Sequence, residues 1–382
     1  MVRLAMIGCG TMSGAYLQQM EPLADRLKFT ALVDIDLERA RKASESSAVA
    51  AEATLASDYR GIFDRIDGAI LAVPHDLHHE IATGLMRAGK HVLIEKPIAN
   101  TEAQCLDIIR EARSAGVVAM HGYVMRYNPF VRHYSELVRG NSYGEPFQVS
   151  IWTEQYTDRS RGEWIGQVSG VGGGQLFSHG CHYIDLLLHW LGEPVSGTHV
   201  GTNLGTPWME MEGTSNVAIK FASGATAYHF GTWGARGSRL GYDFQAHCTG
   251  GMLELDYRAG EIVLWLDPSH GDLGGMSREQ LADAASRPRS RVIADAGELR
   301  KHTAAEIEQF LECIEQQRVP ETDLPSGLQS LRAIWRLYDA EQRGIVADLR
   351  GLGHDQFSPE PDPILAQRQR FGYTCDNKAL FA

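Results

Sequence analysis

The chain of 382 residues lacks several features that would place it in other classes of protein. No apolar run approaches the length of a membrane-spanning helix, so we expect no membrane partner. Its 36 basic residues are outnumbered by 48 acidic ones, which gives a net charge of −12. This balance argues against nucleic acid as a partner, because phosphate binding needs a basic surface. No internal repeat or low-complexity tract is present.

Cysteine is scarce and shows no pairing pattern. The six cysteines are scattered without a C-x-x-C pair, which predicts free thiols in a reducing compartment. The first residues run directly into an apolar strand, so we expect no signal peptide and a cytoplasmic location. A hydrophobic content of 43% and a charged content of 22% are typical of a globular protein, and the length predicts two domains.

What the sequence does contain begins with a short apolar strand, a glycine turn and a helix. Gly8 permits a tight turn, and Gly10 has no Cβ to obstruct a pyrophosphate. The helix N-terminus that follows attracts the anion. Ser13 occupies the third glycine position and is small enough for close packing. The pattern predicts a dinucleotide site that includes Gly8, Gly10, Thr11 and Met12, although the glycines alone also fit a tight turn of any α/β protein.

An acidic residue ends the second predicted strand, residues 29–33. The carboxylate of Asp34 is placed to accept hydrogen bonds from an adenosine ribose. Because its negative charge would repel a 2′-phosphate, the sequence favours NAD as cofactor over NADP.

Strands and helices alternate over residues 1–122, which predicts a Rossmann domain with five parallel strands. Ligands bind beyond the carboxyl ends of such strands. The strand ends therefore supply further candidate cofactor-binding residues: Val73, Pro74, His75, His78, Glu95 and Lys96.

The pattern changes at residue 123. Residues 123–349 predict an α+β domain with an open, mostly antiparallel sheet, a hairpin at Ser223-Gly224 and a loop over residues 267–298. Its last helices are able to pack back on the first domain. The tail, residues 350–382, is either disordered or an arm that packs on another subunit.

Two segments carry candidate catalytic groups. Lys96 follows a buried strand and precedes Pro97, which biases the lysine toward extended geometry and directs it to the sheet edge. An ammonium there can polarise a substrate hydroxyl, although a solvated surface lysine is the alternative. On a predicted helix over residues 178–191, Ser178, His182 and Asp185 share one face. A histidine between a hydroxyl and a carboxylate suits general acid–base catalysis.

Two other interpretations of this helix remain. His182 could bond Asp185 for stability alone. A metal could bind His179 and His182 together with neighbouring ligands, but no second paired ligand segment is evident, so we assign no metal.

These motifs occur in an order that resembles the glucose-fructose oxidoreductase / inositol dehydrogenase / MocA family of sugar and cyclitol dehydrogenases. The resemblance covers roughly residues 1–349 and depends on the following residues: Gly8 to Gly10, Asp34, Pro74 to His78, Glu95 to Pro97, Arg126 to Pro129, and Gly172 to Gly174 leading to His182 and Asp185.

The resemblance implies that Lys96 and His182 act on a substrate hydroxyl, and that the open sheet joins subunits into a homodimer or homotetramer. The chain departs from the family at Ser178, where many members have aspartate, and at His75, where many have asparagine. A sugar or polyol substrate would be bound by aromatic and planar polar groups, for which the candidates are Arg126, Tyr156, Trp164, Ser178, His179 and Asp185.

The predicted function is oxidation of a secondary hydroxyl of a sugar, cyclitol or related polyol by NAD, or the reverse reduction. Two alternatives remain: a lyase or hydrolase in which tightly bound NAD oxidises the sugar transiently, and a non-catalytic NAD-binding regulator.

Overall fold

The computed structural model describes residues 1–160, 162–266, 277–279, 290–295 and 301–353. The α-helices of these residues are α1 (Thr11–Leu17), α2 (Leu37–Glu45), α3 (His78–Arg87), α4 (Glu102–Ala115), α5 (Pro129–Arg139), α6 (Val168–Val171), α7 (Cys181–Leu191), α8 (Thr303–Gln316) and α9 (Leu324–Arg343). The predicted tail beyond residue 353, and most of the predicted loop over 267–298, lie outside the described residues.

A six-stranded parallel sheet forms the first half of the molecule. Its strands are β1 (Val2–Ile7), β2 (Leu27–Val33), β3 (Thr54–Ala56), β4 (Gly68–Leu71), β5 (His91–Glu95) and β6 (Ala119–Gly122). Their spatial order is β3-β2-β1-β4-β5-β6, the order of a Rossmann domain. The chain crosses from one side of the sheet to the other between β1 and β4, which is where such folds bind a ligand.

A nine-stranded, mostly antiparallel sheet forms the second half. Its strands are β7 (Pro146–Glu154), β8 (Pro194–Thr202), β9 (Thr214–Phe221), β10 (Thr226–Thr232), β11 (Tyr242–Cys248), β12 (Gly251–Asp256), β13 (Glu261–Trp265), β14 (Ser290–Asp295) and β15 (Ala347–Asp348). Among the described strands of this second sheet, only β7 and β10 pair in parallel. The expected hairpin joins β9 and β10, with Gly224 at φ +93. The predicted fold class is therefore confirmed, whereas oligomerisation through this sheet stays a prediction.

Three predictions of secondary structure from the sequence were wrong. The parallel sheet has a sixth strand, β3, at its edge; with three residues, this strand is too short to show an alternation of apolar and polar side chains. The alanine-rich, charged stretch 37–53 predicts a single helix, but α2 ends at Glu45, where the hydroxyl of Ser44 donates to the carbonyl of Ala50 and a separate turn follows. Residues 290–295, predicted as loop, form the edge strand β14 against β13.

Helix α8 returns to the first sheet after the second has been built. Ile307, Phe310 and Leu311 are fully buried in the same apolar cluster as Leu4 and Phe29 of the parallel sheet. The hydroxyl of Thr303 also donates to the carbonyl of Ala15 in α1 at 2.8 Å. Residues before α8 are thereby held beside the glycine turn, while the proposed boundary at residue 122 stays a prediction.

Candidate active site

The glycine turn lies at the carboxyl end of β1 and is shaped for close approach. Gly8 has φ +91, and a Cβ there would lie 2.4 Å from the carbonyl oxygen of Ala72. A Cβ on Gly10 would meet no atom within 4 Å, so open space adjoins the turn. Asp34 directly follows β2, next to the glycine turn, and its carboxylate accepts a hydrogen bond from the backbone N–H of Cys9 at 2.8 Å. Open space and an adjacent carboxylate fit the pyrophosphate and ribose of a dinucleotide.

Two buried histidines line the neighbouring strand ends. His75 is bonded through Nδ1 to the carbonyl of Val171 at 2.9 Å, and the ring of Trp164 lies edge-on at 5.0 Å between centroids. His78 contacts the carbonyl of Pro97 at 2.8 Å and that of Val73 at 3.1 Å. His75 thus joins the turn after β4 to the second domain, and His78 joins the turns after β4 and β5 to each other. The structure thus brings Trp164 to the predicted cofactor side of the cleft.

Lys96 reaches across the cleft to the second domain. Its Nζ donates to the main-chain carbonyl of Ser178 at 3.0 Å. Ser178 lies in a π-helical turn, Leu176–Gly180, that precedes α7, so the expected α-helix begins only at Cys181. Such wide turns are frequent at functional sites. Ser178 therefore contributes its carbonyl oxygen, rather than a hydroxyl, to the position of the lysine.

His182 is buried beside this lysine and lacks the partner that we expected. His182 is only 3% exposed, and its Nδ1 has no hydrogen-bond partner among the described residues. Burial, followed by the charges of Lys96 and Lys301, holds the pKa of His182 well below its ordinary value. The imidazole is therefore neutral near pH 7 and able to accept a proton.

Asp185 pairs with a different residue, so the expected Asp185–His182 pair was wrong. The guanidinium of Arg126 forms two parallel hydrogen bonds to the Asp185 carboxylate, each of 2.7 Å. Both side chains are largely buried, at 12% and 2% exposure respectively. Two predicted substrate-binding residues therefore neutralise each other and join the segment after β6 to helix α7.

The other candidate residues lie in different surroundings. His179 Nδ1 lies 3.2 Å from Gln175 Nε2, and its Nε2 lies 3.3 Å from the hydroxyl of Tyr242. Its ring centroid is 6.3 Å from that of His182, so it remains part of the same cluster. Tyr156 is 57% exposed, with the guanidinium of Arg236 5.7 Å from its ring. No group of three or more possible ligands is arranged for a metal ion in the part of the chain that the structure describes.

Two buried carboxyl groups, of Glu95 and Glu306, share contact with one tyrosine hydroxyl next to Lys96, and the sequence did not predict this arrangement. The hydroxyl of Tyr16 lies 2.8 Å from Glu95 Oε1 and 3.0 Å from Glu306 Oε2. One hydroxyl proton cannot serve both carboxylates. Burial, followed by the charge of Glu95, raises the pKa of Glu306 well above its usual range. Burial thus favours the neutral form of Glu306, which can donate to Tyr16 while Tyr16 donates to Glu95.

Lys301 is a further site residue that the sequence analysis missed. It precedes α8, and its Nζ lies 3.3 Å from the Sδ of Met12 at the start of α1, directly after the glycine turn. Its charge contributes to the lowered pKa of His182 and His179. No motif marked Lys301, because it enters the site only through the packing of α8 on α1.

Glu212 supports the turn that leads into helix α7. Its Oε1 accepts from the backbone N–H of Leu176 at 3.1 Å and from the hydroxyl of Tyr338 at 2.7 Å. Its main-chain carbonyl accepts from the N–H of Gln175 at 2.8 Å. Burial raises the pKa of Glu212 to about 7. The segment before His182 thus depends on a buried carboxyl group from the loop before β9.

Two family models match the chain. Residues 2–123 match the oxidoreductase family with an NAD-binding Rossmann fold, and residues 131–254 match the GFO/IDH/MocA C-terminal domain. The chain therefore belongs to the GFO/IDH/MocA oxidoreductase family, which confirms the resemblance seen in its motifs.

Curated relatives match parts of the chain. A 2,7-anhydro-N-acetylneuraminate hydratase of Escherichia coli is 30% identical over 140 residues, which are 36% of this chain and 37% of the relative. A 1,5-anhydro-D-fructose reductase of Ensifer adhaerens is 26% identical over 218 residues, which are 54% of this chain and 66% of the relative. The matched stretches thus span about a third to two thirds of these relatives.

The fold also matches solved structures along nearly its whole length. A levoglucosan dehydrogenase solved with NADH and L-sorbose superposes with a TM-score of 0.78 and covers 93% of this chain and 100% of its own. At 19% identity this likeness shows the fold alone.

None of the described helices is both long enough and apolar enough to cross a lipid bilayer.

Proposed function

We propose that this protein is an NAD-dependent oxidoreductase that interconverts a secondary alcohol and a ketone on a sugar, cyclitol or related polyol. The observation that carries the proposal is the Lys96 ammonium, held 3.0 Å from the Ser178 carbonyl beside a buried, neutral His182. A cation for the substrate oxygen and a base for its proton are the two groups that alcohol oxidation needs.

The residues around the glycine turn fit the cofactor. Gly8 and Gly10 would admit the pyrophosphate, with Thr11 and Met12 at the start of α1, and Asp34 would bind the adenosine ribose. Val73, Pro74, His75, His78 and Glu95 surround the remaining strand ends. Bound NAD supplies the acceptor for the hydride. We favour NAD over NADP because the Asp34 carboxylate would repel a 2′-phosphate.

His182 and Lys96 divide the work at the substrate hydroxyl. Lys96 donates a hydrogen bond to the hydroxyl oxygen and stabilises the negative charge that develops as the proton leaves. His182 accepts this proton, since burial keeps its imidazole neutral. In the reverse direction, protonated His182 returns the proton to the ketone oxygen. The carbonyl of Ser178 orients the ammonium in both directions.

Relatives support a substrate with several hydroxyl groups. One is named as a reductase of 1,5-anhydro-D-fructose, and another as an inositol 2-dehydrogenase. Another relative is named as a hydratase. The test below therefore also includes the alternative in which bound NAD oxidises the substrate only transiently.

The test measures reduced nicotinamide absorbance with NAD and NADP against a panel of sugars, cyclitols and sugar acids. We expect turnover with NAD that falls by about 100-fold or more in Lys96→Met and in His182→Asn. Direct titration should show that both variants still bind NAD. Lys42→Met and His133→Asn change exposed residues of the same types and should keep full activity.

Two results would contradict this assignment. Turnover within a few-fold of wild type in both site variants would remove Lys96 and His182 from the chemistry. Consumption of a substrate without net change in nicotinamide absorbance, with NAD retained through purification, would support transient oxidation instead.

A further inference from the structure

Lys301 is fixed in the site by the packing of α8 on α1. The side chain of Gln19 donates to the carbonyl of Lys301 at 2.7 Å, and Thr303 donates to the carbonyl of Ala15 at 2.8 Å. These two bonds hold the backbone from Lys301 to Thr303 against α1 and the residues that follow it. The fold therefore fixes the point from which the lysine side chain extends toward Met12.

The Lys301 ammonium lacks a strong acceptor. The thioether of Met12, a weak acceptor, is its hydrogen-bond partner at 3.3 Å in the described part of the chain. An ammonium carries three N–H donors, so most of its hydrogen-bonding capacity is available to a ligand. The charge of Lys301 also acts on His182 and His179, so the ammonium lies near Met12 and close enough to these two histidines to affect their pKa.

The carboxyl groups nearby already have other partners. The carboxyl oxygens of Glu95 already accept hydrogen bonds from the hydroxyl of Tyr16 and from the backbone N–H of Lys96. Burial favours the neutral form of Glu306, and Asp185 is matched by Arg126. The histidines are neutral. Burial lowers the pKa of Lys301, and the charge of Glu95 opposes this change, so a further anion beside the ammonium would stabilise its charged form.

We propose that Lys301 binds an anionic group, a carboxylate or a phosphate, on the substrate, so that the site is specific for acidic sugars or polyols. This inference rests on the proposed function, because it places a substrate beside Lys96 and His182. An anion stabilises the charged form of the ammonium and accepts the hydrogen bonds that the Met12 thioether cannot satisfy.

The test compares binding of matched acidic and neutral probes to the protein saturated with NADH, followed by nicotinamide fluorescence. The carboxylate arm pairs D-glucuronate with D-glucose and D-gluconate with D-glucitol, and the phosphate arm pairs D-glucose 6-phosphate with D-glucose. We expect at least one acidic probe to bind roughly tenfold or more tightly than its neutral partner. Binding requires no turnover, so this experiment is separate from the test of catalysis.

Substitution of the lysine should remove this preference selectively. In Lys301→Met the acidic probe should bind no better than the neutral one, whereas Lys301→Arg should keep a substantial part of the preference. Affinity for NADH should stay within about threefold in both variants. Lys42→Met, at an exposed lysine on α2, serves as the control and should bind like wild type.

Three results would overturn the inference. The first is equal binding of acidic and neutral probes, or no binding of either, by the wild-type protein. The second is a preference that survives in Lys301→Met. The third is a loss of NADH affinity in Lys301→Met as large as the loss for the acidic probe, which would assign the ammonium to the cofactor pyrophosphate. If Lys301→Met does not fold, Lys301→Gln takes its place.

Discussion

Glu212→Gln should make the protein more stable than wild type above neutral pH and remove a pH dependence. The Glu212 carboxyl group is 7% exposed, and burial raises its pKa from 4.5 to about 7. A raised pKa means that the folded state binds a proton more tightly than the unfolded state. The group therefore stabilises the fold fully below pH 4.5, and this contribution is lost as the pH rises toward 7.

The size of the effect follows from the shift. A difference of 4.5 to about 7 is some 2.5 pKa units, and each unit corresponds to about 1.4 kcal/mol, which gives about 3 kcal/mol between the two limits. Glutamine cannot ionise but keeps an oxygen that can accept from Leu176 and Tyr338. The variant should therefore gain about 2–3 kcal/mol relative to wild type between pH 5 and pH 8.

Urea unfolding of both proteins at pH 5 and at pH 8 measures this gain. For each pH, the free energy of unfolding of wild type is subtracted from that of the variant. The change in this difference between pH 5 and pH 8 decides the question, because a pH-independent cost of the amide cancels. Glu193→Gln, at an exposed glutamate before β8, is the matched control and should show no such change. A stability difference for Glu212→Gln that is the same at both pH values would refute the assignment of a buried, proton-binding carboxyl group.

Other predictions concern the site itself. Asp34→Ser should raise the KM for NAD about tenfold and lower the preference for NAD over NADP in steady-state assays; an unchanged preference would remove Asp34 from cofactor selection. Arg126→Ala should destabilise the fold by about 3–5 kcal/mol in urea, because Asp185 is left buried and unpaired, and Arg126→Met with Asp185→Leu should recover most of this loss. The rate of alcohol oxidation should fall only well below pH 6.5, because burial lowers the pKa of His182 and the neutral form accepts the proton; a midpoint at or above pH 6.5 would contradict this.

Local patterns were sufficient for the elements that bear the site. The glycine turn, the strand ending at Glu95 and the helix bearing His182 each have a signature within a few residues, and parallel strands bring their carboxyl ends to one edge. From this, Lys96 and His182 could be assigned to one cleft. Edge strands such as β3 and β14 are too short or too polar to show a period, so they were missed.

Pairings between distant segments could not be read from the sequence. Arg126 and Asp185 are 59 residues apart, and Lys301 and Met12 are 289 apart. Spacing on a helix made Asp185 the natural partner of His182, but a guanidinium from another segment offers two hydrogen bonds and a charge. Such choices depend on how the two halves pack, which periodicity does not describe.

The docking of α8 and the charge of the site are linked through one hydroxyl. Tyr16 on α1 contacts Glu95 at the end of β5 and Glu306 on α8, so packing α8 against the sheet brings two carboxyl groups to a single proton donor. Ionisation of both would place two negative charges on this hydroxyl, and burial raises the cost further. Packing of α8 therefore favours the neutral form of Glu306. The same packing buries Lys301 and lowers its pKa, and the charge of Glu95 opposes this change, so the charged form of Lys301 depends on negative charge beside it.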